Sequence, residues 1–208
     1  MCDAALIHTN TSRLMQDVFG NYVIQTLFEH GTQRQKTILA NIIEKDILHL
    51  SCSLYGCRAE GKFAIDMILP EQQVSFVREL EPYIMKCIND TNGNHVIQKI
   101  IERVPPESLG FVSTFVKKVS ELAAHPFGCR VLLRCLKHLP YPVIRPLLHE
   151  LLTNHVPQLM QDRVGNYLIQ FILEQGRAKD KALIVAQLMG RFLFMSQHQF
   201  ASNVIFSC

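Results

Sequence analysis

Six short phrases along the chain carry residues able to hold a flat heterocycle. They are Gly20-Asn21-Tyr22-Val23-Ile24-Gln25, Gly56-Cys57-Arg58, Gly93-Asn94-His95-Val96-Ile97-Gln98, Gly128-Cys129-Arg130-Val131-Leu132-Leu133, Gly165-Asn166-Tyr167-Leu168-Ile169-Gln170 and Ala201-Ser202-Asn203-Val204-Ile205. Counting from the residue after the glycine, positions 1 and 5 are Asn and Gln in three phrases, and position 2 is Tyr, His or Arg in five. On a helix, positions 1 and 5 lie one turn apart on one face, with position 2 beside them. The amide pair offers donors and acceptors to the edge of one base. The neighbouring plane can stack on the base face, which contributes roughly 1–3 kcal/mol per base. An Asn at a helix start can also serve only as an N-cap. That reading does not account for Cys57 and Cys129, which cap poorly, or for the Gln four residues later.

The phrases start 36, 37, 35, 37 and 36 residues apart, a period typical of stacked helical repeats. The intervening sequence is helical in pattern. Val96, Ile97, Ile100, Ile101 and Val104 form one apolar stripe, ended by Pro105-Pro106. Leu109, Val112, Phe115 and Val116 predict a second α-helix, and Val119 with Leu122 a short connector. The next unit repeats this scheme with a break at 140–142, a helix over 143–152 and a connector over 156–160. No strand pattern occurs. The expectation is an all-α, right-handed α-solenoid with repeats at about 10–45, 46–82, 83–117, 118–154, 155–190 and a partial 191–208, preceded by a remnant at 1–9. Each unit packs only on its neighbours and an array ordinarily carries polar end caps, so the chain is expected to be part of a longer architecture or an abbreviated version of one.

Bulk properties set limits. The chain has 208 residues, is 48% hydrophobic and 19% charged, and carries a net charge of +3. That charge permits a nucleic-acid partner without demanding one. No apolar run approaches the ~20 residues of a membrane-spanning helix, and the first ten residues do not read as a secretory signal. A cytoplasmic location is expected. The seven cysteines include no Cys-x-x-Cys pair, so neither a disulfide framework nor a zinc site is expected, and no cofactor or metal is implied. Met85, Met160 and Met195 read as packing residues.

The phrases and their flanks resemble Pumilio-type PUF repeats, RNA-binding α-solenoids in which each repeat reads one base. The resemblance runs through Asp17-Val18-Phe19-Gly20-Asn21-Tyr22-Val23-Ile24-Gln25, His125-Pro126-Phe127-Gly128-Cys129-Arg130-Val131 and Gln197-His198 with Phe200-Ala201-Ser202-Asn203-Val204. It covers about residues 10 to 208 and corresponds to the second to seventh of the family's eight repeats. It implies a crescent, an armadillo-like superhelix with the phrase helices on the concave face. It also implies a uracil reader at Asn21/Tyr22/Gln25, at Asn94/His95/Gln98 and at Asn166/Tyr167/Gln170. Cys57/Arg58 and Cys129/Arg130 resemble adenine readers, but Gly61 and Leu133 stand where Gln is expected. Ser202/Asn203 resembles a guanine reader with Phe206 in place of Glu.

Gly61 and Glu60 make residues 59–62 the stretch expected to be weakest, because glycine costs a helix about 1 kcal/mol relative to alanine. Arg58, Lys62, Lys99, Arg103, Arg130, Arg134 and Lys137 are candidate phosphate-attracting cations. The resemblance implies binding of single-stranded RNA in messenger 3′ untranslated regions, with a core 5′-UNUNU-3′ and weak preference for A at N. It further implies post-transcriptional repression through deadenylase or translational-repression factors on the convex face, by a monomer. No nucleophile triad, phosphate loop or metal spacing points to an enzyme. The rival reading is a degenerate protein-interaction scaffold with little RNA affinity.

Overall fold

The computed structural model describes residues 4–57 and 64–207, with side chains from residue 10 onward. The expected weak stretch at 59–62, and with it Arg58, lies outside the described residues. The chain divides into two compact units, residues 1–109 and 110–208. Among the described residues every regular element is helical.

The first unit holds α1 (Ala4–Gln16), α2 (Gly20–His30), α3 (Gln33–Glu44), α4 (Ile47–Cys52), α5 (Ile65–Met67), α6 (Pro70–Leu80), α7 (Ile84–Asn89) and α8 (Gly93–Arg103). One-turn 3-10 segments span Glu81–Tyr83 and Pro106–Ser108. The second unit opens on a 3-10 helix, Gly110–Lys118. It continues through α9 (Val119–Ala124), α10 (Pro126–His138), α11 (Tyr141–Asn154), α12 (Val156–Gln161), α13 (Asn166–Gln175), α14 (Ala178–Leu188), α15 (Phe192–Ser196) and α16 (Ala201–Phe206).

A repeat is thus a short helix, a phrase helix and a return helix. Each face buried follows from the stripe that predicted it. Ile24 and Phe28 of α2, Ile97 and Ile100 of α8, Leu132 and Cys135 of α10, and Ile169 and Ile172 of α13 are all 2% exposed or less. Burying each such aliphatic side chain contributes about 1.5–3 kcal/mol. Met160 and Met195 join these cores at 1% and 2% exposure. Position 3 of the phrase is fully buried in α8, α10 and α13, but Val23 in α2 is 52% exposed.

Neighbouring repeats are also stitched by polar side chains. Gln72 Nε2 donates to the Thr37 carbonyl at 3.1 Å and to Asn41 Oδ1 at 2.9 Å. Asn92 Nδ2 donates to the Cys52 carbonyl at 3.1 Å, and Gln187 Nε2 to the Leu152 carbonyl at 2.6 Å.

One expected element differs. The stripe from Leu109 to Val116 predicts an α-helix, whereas the structure has a nine-residue 3-10 helix over Gly110–Lys118. This helix buries Phe111, Val112 and Phe115, and Val112 and Phe115 continue a three-residue step from the buried Leu109 just before it, the 3-10 repeat. Val112, Thr114 and Val116 are β-branched and disfavour α. The Ser113 and Thr114 hydroxyls donate to carbonyls three residues back, those of Gly110 and Phe111.

Candidate nucleic-acid interface

The phrase glycine has no special backbone angle, since the one positive φ among described residues is at Gly190. Its smallness serves a close approach. A Cβ at Gly20, Gly93 or Gly128 would lie 2.8, 2.8 or 2.5 Å from the carbonyl oxygen of the residue six before it, Leu14, Cys87 or Leu122. The phrase helix therefore starts pressed against the end of the helix before it.

Each start is capped by a side chain three residues before the glycine. Asp17 Oδ1 accepts from the Phe19 and Gly20 amides at 2.9 and 2.7 Å. Asp90 accepts from Asn92 and Gly93, both at 2.8 Å, and Asp162 from Val164 and Gly165 at 2.8 and 2.6 Å. The other phrases use neutral acceptors: Ser53 Oγ takes the Gly56 amide at 3.0 Å, His125 Nδ1 that of Gly128 at 3.2 Å, and His198 Nδ1 those of Phe200 and Ala201 at 3.2 and 3.4 Å. The Gly20 amide, then that of Phe19, then more weakly the charge of Arg13, hold the Asp17 carboxyl below its ordinary 3.8. These caps escaped the sequence reading, although Asp, Ser, Asp, His, Asp, His at a fixed offset was visible there.

With the caps in place, the phrase Asn is not an N-cap. Asn21 Nδ2 donates backward to the Asp17 and Val18 carbonyls at 2.8 and 2.9 Å. Asn94 does the same to Asp90 and Thr91, both at 2.9 Å, and Asn166 to Asp162 and Arg163 at 2.8 and 3.0 Å. Each Asn Oδ1 then accepts from the Gln one turn on: Gln25 at 2.7 Å, Gln98 at 2.9 Å and Gln170 at 2.7 Å. The three Asn residues are 0–1% exposed. Their amides hold the Gln, so the paired grip anticipated from sequence reduces in this structure to a Gln presented by a buried Asn.

Position 2 projects outward. Tyr22 is 59% and Tyr167 62% exposed, and His95, Arg130 and Asn203 are exposed as well. Arg130 lies over the Phe127 ring with its Cζ 6.0 Å from the centroid, a contact that orients the guanidinium. In unit 2, α10 packs on α13 and α13 on α16, so Arg130, Tyr167 and Asn203 follow one another.

The intervening phrases lack this wiring. Cys57 is 8% exposed and its thiol donates to the Leu54 carbonyl at 3.5 Å. Cys129 donates to the Val164 carbonyl of the next repeat at 3.7 Å. Burial, and secondarily the charge of Asp162, push its thiol up to about 11, so it remains a neutral donor at physiological pH. Leu133 is partly exposed, and Phe206 is 91% exposed at the end of α16. The Ser202 hydroxyl donates to the Gln199 carbonyl at 3.4 Å.

Two expected phosphate-attracting cations are corrected. Lys99 Nζ and Arg103 Nε bind the two oxygens of Asp66 at 2.8 and 2.9 Å. They hold α8 to α5, and the carboxylate between them offsets one of their two charges. Nothing in the sequence pattern marked Asp66. Among the described residues no group of His, Cys, Asp or Glu is placed to hold a metal ion, and no helix is long and apolar enough to cross a membrane.

Known proteins share this arrangement. A family profile described as a NOP9-like PUF repeat domain matches residues 39–189. A second, the Pumilio-family RNA binding repeat, matches 10–44 and 191–205. A Pumilio domain-containing protein of Schizosaccharomyces pombe is 32% identical over 203 residues, which is 97% of this chain and 30% of that protein. Pumilio homolog 1 of Xenopus laevis is 50% identical over 121 residues, 57% of this chain and 10% of that protein. Among solved structures, the Puf3 RNA binding domain bound to a Cox17 RNA 3′ UTR recognition sequence superposes with a TM-score of 0.90 at 37% identity, covering 98% of this chain and 61% of that one. PUF-8 in complex with PBE-RNA gives 0.92 at 31% identity, covering 98% and 60%. The chain thus spans less than two thirds of the relatives it matches. With a family profile over most of its length and the capped, period-36 phrase helices beneath it, the chain belongs to the PUF repeat family.

Proposed function

We propose that the chain binds single-stranded RNA sequence-selectively, without catalysis, and reads 5′-UNUNU-3′. The carrying observation is the threefold recurrence of one device: a buried Asn holding a Gln beside an exposed Tyr or His. A fixed amide can both donate to and accept from one base edge, and the neighbouring ring stacks. Repeats 155–190, 83–117 and 10–45 read the three U positions in that order along the RNA, and the repeats between accept a base by stacking and van der Waals contact. In the cell this reading corresponds to a cytoplasmic repressor acting on messenger 3′ untranslated regions through recruited partners. Selection from random RNA tests it: enrichment of alternating U is expected, and its absence rejects the code. Asn94→Ser combined with Gln98→Glu is expected to move the central preference from U to G.

A second reading, a protein scaffold with little RNA affinity, draws on the exposed apolar side chains Met189, Phe192, Leu193 and Phe194, 56–77% exposed. Filter binding at several salt concentrations separates the two, since RNA binding by cationic groups weakens steeply with salt.

A further inference from the structure

One exposed ring lies outside the reading positions. Phe19, the residue before the first phrase glycine, is 77% exposed, whereas Phe127 and Phe200 hold the same place half-buried. Its backbone is fixed: the amide donates to Asp17 Oδ1 at 2.9 Å, and the carbonyl accepts from the Tyr22 amide at 3.2 Å. Phe19, Tyr22 and Gln25 are three residues apart, and side chains at that spacing are neighbours on a helix surface. The edge-reading amide, the stacking ring and Phe19 therefore form one ridge, in that order. Among the described phrases no other has two exposed rings on this ridge. Asn92 precedes Gly93, a half-buried Val164 precedes Gly165, and Phe127 lies under Arg130.

A neighbouring repeat shows which way the ridge runs. Asn92 holds the place of Phe19 in the repeat of Asn94, and its side chain reaches back to the Cys52 carbonyl of the preceding repeat. A side chain at this place thus faces away from the following repeat. Next to Phe19, where α1 ends, is an open cleft of about 670 Å³ lined by Asn10, Arg13, Leu14, Gln16 and Asp17. Arg13 and Asp17 balance there, so charge selects nothing, and the plane of the ring is the recognising feature.

We propose that Phe19 is a further base-stacking site, which takes the nucleotide 3′ of the last U whatever its edge. This rests on the RNA reading given above. In that reading the repeat 10–45 holds the last U with Gln25 and Tyr22. The next nucleotide is covalently tethered to that base and is delivered to the side of α2 that Phe19 occupies. A short tether sets an effective concentration on the order of millimolar, which a free apolar protein segment lacks. Stacking on a ring tolerates any base, and the larger face of a purine gains most.

Filter binding of the full chain tests the site with four RNAs: UAUAU, UAUAUA, UAUAUU and UAUAU extended by a 3′ abasic nucleotide. UAUAUA is expected to bind about tenfold more tightly than the abasic RNA, the scale of one stacked base, with UAUAUU between them. That ratio is expected to stay constant as salt rises, because the two RNAs carry the same phosphates. Phe19→Ala is expected to bring it to about one, and Phe19→Tyr, which keeps a ring, to retain it. UAUAU binding by each variant reports its fold. Equal affinities of UAUAUA and the abasic RNA for the unaltered protein overturn the proposal while the reading of UAUAU stands. So does a ratio that survives Phe19→Ala. Absence of UAUAU binding by the unaltered protein removes the RNA reading itself, and this site with it.

Discussion

The repeats fall into two alternating kinds that share a backbone and differ in polar wiring. In the repeats of Asn21, Asn94 and Asn166, an aspartate caps the helix, the Asn returns two N–H groups to the preceding turn, and its oxygen fixes the Gln. In the repeats of Cys57, Cys129 and Ser202, the cap is neutral, and the thiol or hydroxyl donates to a carbonyl. Every link in the first kind depends on the one before it. Capping and burial are therefore one structure there, and the proposed base contact rests on both; in the second kind, α10 and α16 keep the helix without that wiring.

The largest expected effect tests whether reading belongs to one kind of repeat. Replacing Gln25, Gln98 and Gln170 together by Ala is expected to lower affinity for a UNUNU RNA at least about 100-fold, taking about 1 kcal/mol or more per lost hydrogen bond. Leu133→Ala should change it about twofold at most, the scale of a few dispersion contacts. Comparable losses in filter binding would erase the distinction.

Gly93→Ala probes what both kinds share. The new methyl group would sit 2.8 Å from the Cys87 carbonyl oxygen. A loss of about 1–3 kcal/mol in denaturant unfolding is expected from such overpacking. Ala201 occupies the same place in the sixth repeat and is fully buried.

The smallest effect concerns the caps. Asp90→Ala is expected to cost about 1–2 kcal/mol and Ser53→Ala nearer 0.5, the range for N-cap loss. The Asp17 cap also carries a pH signature. Because the folded-state pKa of Asp17 is depressed, its contribution is complete above the ordinary carboxyl value of 3.8 and disappears as pH falls through the lower folded value. A carboxyl-carbon NMR titration placing Asp17 at or above 3.8 would contradict the paired geometry.

The period and the helical character of the repeats are legible in the sequence, because phrase spacing and apolar stripes report burial directly. The 3-10 helix at Gly110–Lys118 is not, since a stripe of three-residue steps fits both helix types and the β-branched run settles it only once packed. Among site residues, the outward projection of Tyr22, His95, Arg130 and Tyr167 followed from helical phase. The internal use of the Asn amides did not follow, because it depends on where two carbonyls of the preceding turn point. The loss of Lys99 and Arg103 as free cations depends on Asp66, more than thirty residues away in sequence.

The Asn–Gln hydrogen bond has a kinetic consequence. A free glutamine side chain samples many rotamers, and freezing one costs on the order of 1.5–2 kcal/mol. In Gln25, Gln98 and Gln170 that ordering is complete before any base arrives. On the RNA reading proposed above, a matching base would meet a finished template, and a mismatched one would have to break the internal bond before inducing a compensating rotamer. Selectivity is then expected in dissociation rates more than in the speed of encounter.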